Sequence, residues 1–271
     1  MNISTNTQAY LQDLALSVGW PDIEFLNQLQ SRHLERYSFN SLAVVLGQEV
    51  PIDSDSVFDK IVRRGRGGYC FEHNKLTFDA LTDLGFEVRI LLARVVYGQD
   101  RDAPRSHRIT LLTLNGQQYI VDTGFGHYGA RYPVALQPGL VQEQGDATYR
   151  IEALSDGSFG YQILKDGAFF TLYRFDLGDY SEADCLTGHF FSHRYPTAGF
   201  VNNLVVCTKN ADEIRSLRND ALHLIRHGET EVRPIDSAVM LCELLNQEFH
   251  LETDQAVADY LYDRFVLPNA A

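Results

Sequence analysis

The feature that most constrains the fold is a change in hydrophobic spacing at Gly85. Before this residue, apolar side chains recur at helical spacing, as in FLNQLQSRHL and CFEHNKLTFDALTDLG, and a glycine suits the position just after a helix. After it, six short runs rich in β-branched and aromatic residues lie between positions 86 and 176, and the turn pattern Asn115-Gly116 separates two of them. We therefore expect a helical region followed by an antiparallel sheet or small barrel.

The last part of the chain mixes both patterns. From about residue 190, the strand-like run FVNNLVVCT precedes a helix that is expected to open at Asp236-Ser237. The 271 residues are enough for one large domain or a few small ones, and no internal repeat or linker is evident. The pattern predicts three regions, at residues 1–85, 86–190 and 191–271.

Charge and composition limit the partners and the compartment. The net charge of −13, from 23 basic and 36 acidic side chains, argues against a nucleic-acid-binding surface, which needs clustered lysine and arginine. The four cysteines are widely spaced, which is typical of reduced thiols rather than of a disulfide framework. The N-terminal segment lacks the pattern of a signal peptide, and no apolar run approaches the ~20 residues of a membrane span. We expect a cytoplasmic protein that neither binds nucleic acid nor spans a membrane.

Cys70 follows two glycines within the segment RGRGGYCFEHN, at the point where a helix is predicted to begin. Gly67 and Gly68 allow a sharp turn and are expected to leave room for a substrate to approach the thiol. The first turn of a helix offers the positive end of its dipole and unpaired N–H groups, which favour a thiolate and can also bind an oxyanion. A buried packing cysteine is the ordinary alternative, and this setting favours a nucleophile.

A base for this thiol follows from the geometry of a predicted hairpin. If Asn115-Gly116 forms a two-residue loop, the strands pair so that Ile109 faces Asp122. His107 and Ile109 share one face of their strand, so His107 and Asp122 are diagonal neighbours, roughly 7–8 Å apart at the backbone and within reach of a hydrogen bond. The carboxylate would fix the imidazole tautomer and stabilise its cation. A one-residue slip would put the two side chains on opposite faces.

Three blocks together resemble the arylamine N-acetyltransferase family: RGGYCFEHN around Cys70, SHRITLLT with His107 and YIVDTGFG with Asp122. Their order and separation agree with the family, and the resemblance extends to FVNNLVVCTK and the closing helical segment. It implies an α+β, three-part, papain-like (cysteine-proteinase-like) architecture. The parts are an N-terminal helical bundle, a central antiparallel β-barrel and a C-terminal α/β lid.

The resemblance also implies a two-step acetyl transfer. In the family, acetyl-CoA acylates the cysteine, CoA leaves, and an arylamine, arylhydrazine or arylhydroxylamine takes the acetyl group. By match of the motifs, Cys70 is the expected nucleophile, His107 the base and Asp122 its orienting partner. Residues expected to contact the acceptor are Phe39, Gly124, Phe125 and Gly126; residues expected to support the site are Arg66, Gly67, Gly68 and Glu72; positional candidates for CoA contact are Val95 and Thr208.

Two residues depart from the family's pattern. Asn40, in the segment FNSL, stands where the family commonly has glutamate, the usual partner of the arginine matched by Arg66. The resemblance implies that Arg66 is buried, where a guanidinium without a partner would cost several kcal/mol, so we expect Glu72 or a backbone carbonyl to accept from it. His127 stands where the family often has glycine, and it would narrow or polarise the acceptor pocket.

Other interpretations share parts of this pattern. An amide synthase of the same family would use the same three residues, and a transglutaminase-like or protease-like hydrolase would keep their order. A non-catalytic binding module would not need them in register. His189 and His193 have the i, i+4 spacing of two zinc ligands on a helix, but a catalytic zinc needs a third protein ligand and none can be named. We therefore expect no metal.

Overall fold

The computed structural model describes residues 3–19, 21–99, 101–226 and 228–269. The helices are α1 (Thr5–Asp13), α2 (Ile23–Arg36), α3 (Leu42–Val45), α4 (Ser54–Phe58), α5 (Cys70–Asp83), α6 (Glu182–Arg194), α7 (Gly199–Asn202), α8 (Ala238–Gln247) and α9 (Gln255–Leu261). Shorter helical turns lie at Asp59–Arg63, Gly126–Tyr128 and Tyr262–Val266. The strands are β1 (Phe39–Asn40), β2 (Glu87–Val95), β3 (Arg105–Leu114), β4 (Gln117–Val121), β5 (Val134–Ala135), β6 (Gln142–Glu143), β7 (Thr148–Ala153), β8 (Phe159–Lys165), β9 (Ala168–Phe175), β10 (Val205–Lys209), β11 (Ile214–Arg218), β12 (Ala221–Arg226) and β13 (Glu229–Pro234).

The N-terminal helices begin at side-chain caps and pack through apolar faces. At the start of α2, Asp22 Oδ1 accepts a hydrogen bond from the amide of Phe25 at 2.8 Å, which satisfies a donor that has no partner inside the helix. Leu26 and Leu29 lie on the buried face of this helix and share a core with Leu81 of α5. The helical spacing before Gly85 is therefore matched by helices that pack on one another.

The central region is one antiparallel sheet of eight strands in the order β5-β4-β3-β2-β9-β8-β7-β6. Alternate side chains of these strands point to one inner face, where Ile109, Ile151 and Leu172 are fully buried. The antiparallel sheet predicted for residues 86–176 is therefore present, and it places β3 and β4 beside α5.

The β3–β4 hairpin has the predicted register. Asn115 and Gly116 form its loop with φ values of 51° and 79°, the left-handed conformations that a two-residue turn of this kind requires. The two strands pair as far as Thr110 and Val121, and Asp122 follows directly. The prediction that His107 and Asp122 share a face rested on this register, which is confirmed.

A second antiparallel sheet joins the two ends of the chain. Its order is β1-β10-β11-β12-β13, and Phe39 of β1 pairs with Cys207 of β10. Phe39 also forms a bridge to Gly68, just before α5. The first and last regions therefore share a sheet, and the predicted division at residues 85 and 190 stays a prediction.

Helices α8 and α9 cover one face of this second sheet. Leu222 packs in a common core with Leu241 and Leu261. Ser237 caps α8, because its Oγ accepts from the amide of Met240 at 3.2 Å, as the Asp236-Ser237 pattern predicted. Across the described ranges, no helix has the length and apolar character that crossing a membrane would need.

Candidate active site

Cys70 is the first residue of α5, and the segment before it is held against β1. Gly67 has a φ of +57°, and a Cβ at this position would lie 2.0 Å from the carbonyl oxygen of Ser38, so only glycine fits. The amide of Asn40 donates to the carbonyl of Gly68 at 2.6 Å. A cavity lies next to Cys70, and neither glycine is among the described residues that line it. The two glycines therefore serve close backbone packing rather than the substrate access that we expected.

Glu72 anchors the first turn of α5. Its Oε2 accepts from the amide of Tyr69 at 3.1 Å, and its Oε1 accepts from Lys60 Nζ at 2.6 Å. The Glu72 side chain is only 2% exposed, so Lys60 supplies the charge partner that a buried carboxylate needs. This pair fixes the helix start that carries Cys70.

The expectation that Arg66 is buried is wrong. Its side chain is exposed, and no carboxylate in the described part of the chain forms an ion pair with it. Its backbone is held instead: the amide donates to the carbonyl of Lys60 at 3.0 Å, and the carbonyl accepts from Asn40 Nδ2 at 3.0 Å. The Asn40 amide therefore binds the backbone of Arg66, and the Arg66 side chain extends into solvent.

His107 and Asp122 form a buried hydrogen-bonded pair at the end of the hairpin. His107 Nε2 donates to Asp122 Oδ2 at 2.7 Å, and the two side chains are 2% and 3% exposed. This bond leaves Nδ1 as the proton acceptor of the neutral ring. The rings of Phe125 and Tyr173 pack on His107 with centroid distances of 5.1 and 5.2 Å, which fixes the orientation of the imidazole.

Asn74, one helical turn after Cys70, connects α5 to this pair. Its Nδ2 donates to Asp122 Oδ1 at 2.9 Å and to the carbonyl of Arg108 at 2.6 Å, while its Oδ1 accepts from the amide of Thr123 at 2.9 Å. Sequence analysis missed Asn74, although its i, i+4 spacing from Cys70 places both residues on one helix face.

Asp122 stays ionised despite its burial. Burial alone raises the pKa of this carboxyl, but the charge and hydrogen bond of His107, with the hydrogen bonds from Asn74 and the amide of Gly124, bring the pKa below its ordinary value. A negative charge therefore lies next to His107 and can stabilise the imidazolium form of the ring.

Cys70 packs directly against both ends of the hairpin. Its Sγ donates to the carbonyl of Ser106, the residue before His107, at 3.7 Å. A Cβ on Gly124 would lie 2.7 Å from the Cα of Cys70, so the missing side chain lets the loop after Asp122 touch α5. The structure therefore brings the three predicted triad residues to one place.

The helix start alone does not acidify Cys70, contrary to our expectation. Burial raises the pKa of its thiol well above the ordinary value, and the Asp122 carboxylate adds to this rise. The amides of Phe71 and Arg108 act in the opposite direction without reversing it. Ionisation of Cys70 therefore requires transfer of its proton to a base, and His107 lines the same cavity.

Cys70 and His107 line a cavity of about 340 Å³, which is in the size range of small-molecule sites. Thr208 is outside the described wall: β10 contributes Val205 and Cys207, which point to the opposite face of the strand. The other residues predicted to contact either substrate do line the cavity: Phe39, Val95, Gly124, Phe125 and Gly126.

Comparison with known proteins identifies the family. A family model described as N-acetyltransferase matches residues 22–258. The arylamine N-acetyltransferase / N-hydroxyarylamine O-acetyltransferase of Salmonella typhimurium is 32% identical over 239 residues, which cover 86% of this chain and 84% of that protein. The chain belongs to the arylamine N-acetyltransferase family. It is therefore an acyltransferase, and the hydrolase and binding-module alternatives are set aside.

Solved arylamine N-acetyltransferases share the fold. The enzyme from Salmonella typhimurium has a TM-score of 0.91 and 29% identity, over 97% of this chain and 100% of that one. The enzyme from Mycobacterium marinum, solved in complex with CoA, has a TM-score of 0.91 and 27% identity, over 96% of this chain and 100% of that one. The predicted α+β architecture of helices around a nearly closed antiparallel sheet is confirmed.

In this arylamine N-acetyltransferase family member, His127 lines the cavity and adds a polar group to its wall. Partial burial, followed by the positive charges of Lys209, His223 and Arg218, lowers the pKa of His127 to about 4. The imidazole is therefore neutral near pH 7 and packs against Tyr128, with a centroid distance of 3.9 Å and the two rings tilted by 44°. The expectation that His127 narrows or polarises the acceptor pocket relative to a glycine stays a prediction.

Part of the cavity wall escaped sequence analysis. It comes from the loop after β2 and from the segment between α6 and β11, and its members include Tyr97, Phe191, Ser192, Phe200, Ser216 and Arg218. Ser216 and Arg218 line this cavity because β10, the neighbour of β11, pairs with β1 across more than half of the chain. The spacing of residues within a short segment cannot predict a contact between residues so far apart in the sequence.

His189 and His193 take part in hydrogen bonds of the fold. His189 Nδ1 is bonded to the hydroxyl of Tyr69, and His193 Nδ1 donates to the carbonyl of His189 at 2.7 Å. Within the residues that the structure describes, no group of three or more His, Cys, Asp and Glu side chains is arranged to hold a metal ion. The expectation of no metal stays a prediction.

A buried chain of hydrogen bonds holds the segment before Cys70. His73 Nε2 faces the carbonyls of Ser38 at 3.2 Å and Gly68 at 3.1 Å, so this nitrogen must carry the proton. His73 Nδ1 then accepts from His33 Nε2 at 2.7 Å, and His33 Nδ1 accepts from the hydroxyl of Tyr10 at 2.6 Å. The geometry fixes one tautomer for each ring, and burial lowers the pKa of both, to about 4 for His73.

The different surroundings of Lys60 and Arg66 can be tested by substitution. Lys60→Met leaves the carboxylate of Glu72 buried without its charge partner, so the free energy of unfolding is expected to fall by about 3–5 kcal/mol. Arg66→Ala removes an exposed side chain and is expected to change it by less than about 0.5 kcal/mol. Urea unfolding of both variants measures the difference. Equal losses would contradict the assignment of Lys60 as the partner of Glu72.

The histidine chain predicts a loss of stability in acid. Because the folded-state pKa of His73 is about 4 and the unfolded value about 6.5, the folded chain binds fewer protons in this interval. The free energy of unfolding is therefore expected to fall by about 3 kcal/mol from His73 alone as the pH drops from about 6.5 to about 4. Urea unfolding across this interval measures it.

His73→Gln isolates this contribution. A glutamine amide can donate to the same carbonyls but does not titrate, so the variant is expected to lose less stability in acid than the wild type. His250→Asn, at an exposed position after α8, serves as the control and is expected to keep the wild-type pH dependence. If the free energy of unfolding falls with decreasing pH equally steeply in wild type and in His73→Gln, a neutral, buried His73 is contradicted.

Proposed function

We propose that this chain transfers an acetyl group from acetyl-CoA to an arylamine, arylhydrazine or arylhydroxylamine through a thioester on Cys70. The name of the Salmonella typhimurium relative supports the acceptor class, and the CoA complex of the Mycobacterium marinum enzyme supports the donor. The observation that carries the proposal is the buried bond of 2.7 Å between His107 and Asp122, on the cavity that Cys70 also lines.

In the first half-reaction, the proton of Cys70 passes to His107 Nδ1, and the thiolate attacks the acetyl carbonyl carbon of the donor. A C–S bond forms to Cys70, and collapse of the tetrahedral intermediate breaks the C–S bond to CoA. The leaving CoA thiolate takes the proton from His107, so the products are acetyl-Cys70 and CoA. Asp122 stabilises the imidazolium while it exists.

In the second half-reaction, the acceptor nitrogen or oxygen attacks the acetyl carbonyl of the thioester. His107 Nδ1 removes the proton from the attacking atom, and the C–S bond to Cys70 breaks. The Cys70 thiolate then takes this proton back, which restores the neutral pair. The rings of Phe39 and Phe125 in the cavity wall offer aromatic surface against which an aryl group can pack.

Burial of the pair gives the mechanism its electrostatic basis. The raised pKa of Cys70 keeps the resting thiol neutral, so the thiolate forms only together with the imidazolium. Asp122 is ionised before this step, because its pKa is lowered by His107, Asn74 and the amide of Gly124. The charge that develops on His107 therefore meets a fixed, oriented carboxylate and needs no rearrangement of solvent.

Asp122→Asn tests the role of this carboxylate. The substitution keeps the side-chain volume but removes the charge beside His107, so CoA release in a single turnover with acetyl-CoA is expected to slow about 10³-fold or more. Asp156→Asn removes an exposed carboxylate on another hairpin and is expected to leave the rate unchanged. Stopped-flow detection of the free CoA thiol measures both, and an unaltered rate in Asp122→Asn would contradict the mechanism.

A further inference from the structure

Two charged side chains of the cavity wall, Asp102 and Arg101, lie near other groups of the protein. Asp102 is fully exposed and lies 3.9 Å from Arg94. Arg101 donates to the carbonyl of Val95 at 2.9 Å. Arg218 differs from both: in the described ranges no carboxylate lies within ion-pair distance of it and its guanidinium makes no hydrogen bond. Its five N–H donors are therefore open to a ligand.

Strand alternation turns Arg218 toward the cavity. Arg218 and Ser216 share one face of β11, and their partners on β10 are Val205 and Cys207. All four residues line the cavity, and the row continues to Phe39 on β1. The guanidinium thus extends from the same sheet face that forms part of the wall at Cys70.

The backbone at Arg218 is held in place by the next residue. The amide of Asn219 donates to the carbonyl of Leu204 at 2.9 Å, and its Oδ1 accepts from the amide of Leu204 at 3.0 Å. Asn219 Nδ2 also donates to Asn203 Oδ1 at 3.0 Å. These bonds fix the end of β11, so Arg218 can bind without first ordering its backbone.

Several cationic side chains lie near Arg218 and His127, although the net charge of the whole chain is −13. The positive charges of Lys209, Arg218 and Lys165 all act on the cavity-lining His127. Lys209 is already paired with Asp146 at 2.6 Å, whereas Arg218 is exposed and lines the cavity. A cleft with excess positive charge concentrates anionic ligands.

Aromatic surface lies in the same wall. Tyr97 lines the cavity, and its ring centroid is 5.8 Å from that of Phe125. Tyr97 is 41% exposed, so its ring is accessible. A planar group can lie on these rings while an attached or neighbouring anion reaches the guanidinium.

We propose that Arg218 forms an anion-binding subsite of this cavity, which takes a phosphate or carboxylate group of one of the two substrates. The inference rests on the proposed function, because it concerns the same cavity. The anion has two possible sources: the phosphates of the CoA donor, or a carboxylate on the aromatic acceptor. A planar guanidinium binds either group through two parallel hydrogen bonds.

Equilibrium binding to the whole chain separates the two sources. In the donor arm, CoA is compared with pantetheine, which lacks phosphate. In the acceptor arm, 4-aminobenzoate is compared with 4-aminobenzamide, which has a similar shape but no charge. Each ligand is titrated into wild type, Arg218→Gln and Arg233→Gln. Arg233 is an exposed arginine of β13 whose strand partner, Leu222, faces away from the cavity row, so its loss changes the net charge equally.

Arg218→Gln is expected to weaken the anionic ligand of one arm about 10-fold and to leave the neutral ligand of that arm unchanged. Arg233→Gln is expected to leave all four affinities unchanged. The arm that responds identifies the source of the anion. The proposal is overturned if Arg218→Gln still binds the anionic ligand more tightly than the neutral one, by the wild-type factor, in both arms. It is also overturned if Arg233→Gln weakens the anionic ligand as much as Arg218→Gln does, or if the wild type binds the anionic and neutral ligands of each arm equally.

These titrations involve no acetyl transfer, so they are independent of the thioester. If Cys70 is not acylated by acetyl-CoA but Arg218→Gln still abolishes an anionic preference, the proposed function fails and the subsite stands. If acylation proceeds and the anionic preference is independent of Arg218, the subsite fails and the proposed function stands.

Discussion

The hydrogen bonds from Asn74 to Asp122 and from His107 to Asp122 are the interactions on which the rest of the site depends. Asn74 belongs to the helix that Cys70 begins, whereas Asp122 and His107 belong to the β3–β4 hairpin. One buried carboxylate therefore fixes the distance between the thiol and the imidazole. Gly124 makes this possible, because a side chain there would collide with the backbone of Cys70.

Burial shifts the pKa of the thiol and of the histidines near Asp122 in opposite directions. It raises the pKa of the Cys70 thiol and lowers those of His33 and His73, so all three are neutral at rest. Asp122 alone is held ionised by its hydrogen-bond donors. The negative charge of Asp122 therefore lies beside the imidazole of His107, at 2.7 Å. The chain Tyr10–His33–His73 has a different role: it holds the backbone before Cys70 through neutral hydrogen bonds.

Sequence analysis found the parts of the site that local rules determine. The Asn115-Gly116 loop fixes the hairpin register, and the register places His107 beside Asp122. The two glycines and the predicted helix start pointed to Cys70, and the resemblance to the family supplied the loop at Phe125. Contacts between elements that are far apart in the sequence were either not predicted or predicted wrongly. Lys60 pairs with Glu72 because the turn before α5 folds back on the helix, which also exposes Arg66. Thr208 lies on the face of β10 that it shares with Val206, which packs in the core under α8 and α9, whereas Val205 and Cys207 face the cavity.

Intact-protein mass spectrometry after mixing with acetyl-CoA tests the central claim most directly. Cys207 is a second cysteine that lines the cavity, so Cys207→Ala provides a matched control for Cys70→Ala. We expect one acetyl adduct on wild type and on Cys207→Ala, none on Cys70→Ala, and loss of the adduct when an aromatic amine is added. An adduct that persists in Cys70→Ala, or no adduct on the wild type, would contradict a thioester at Cys70.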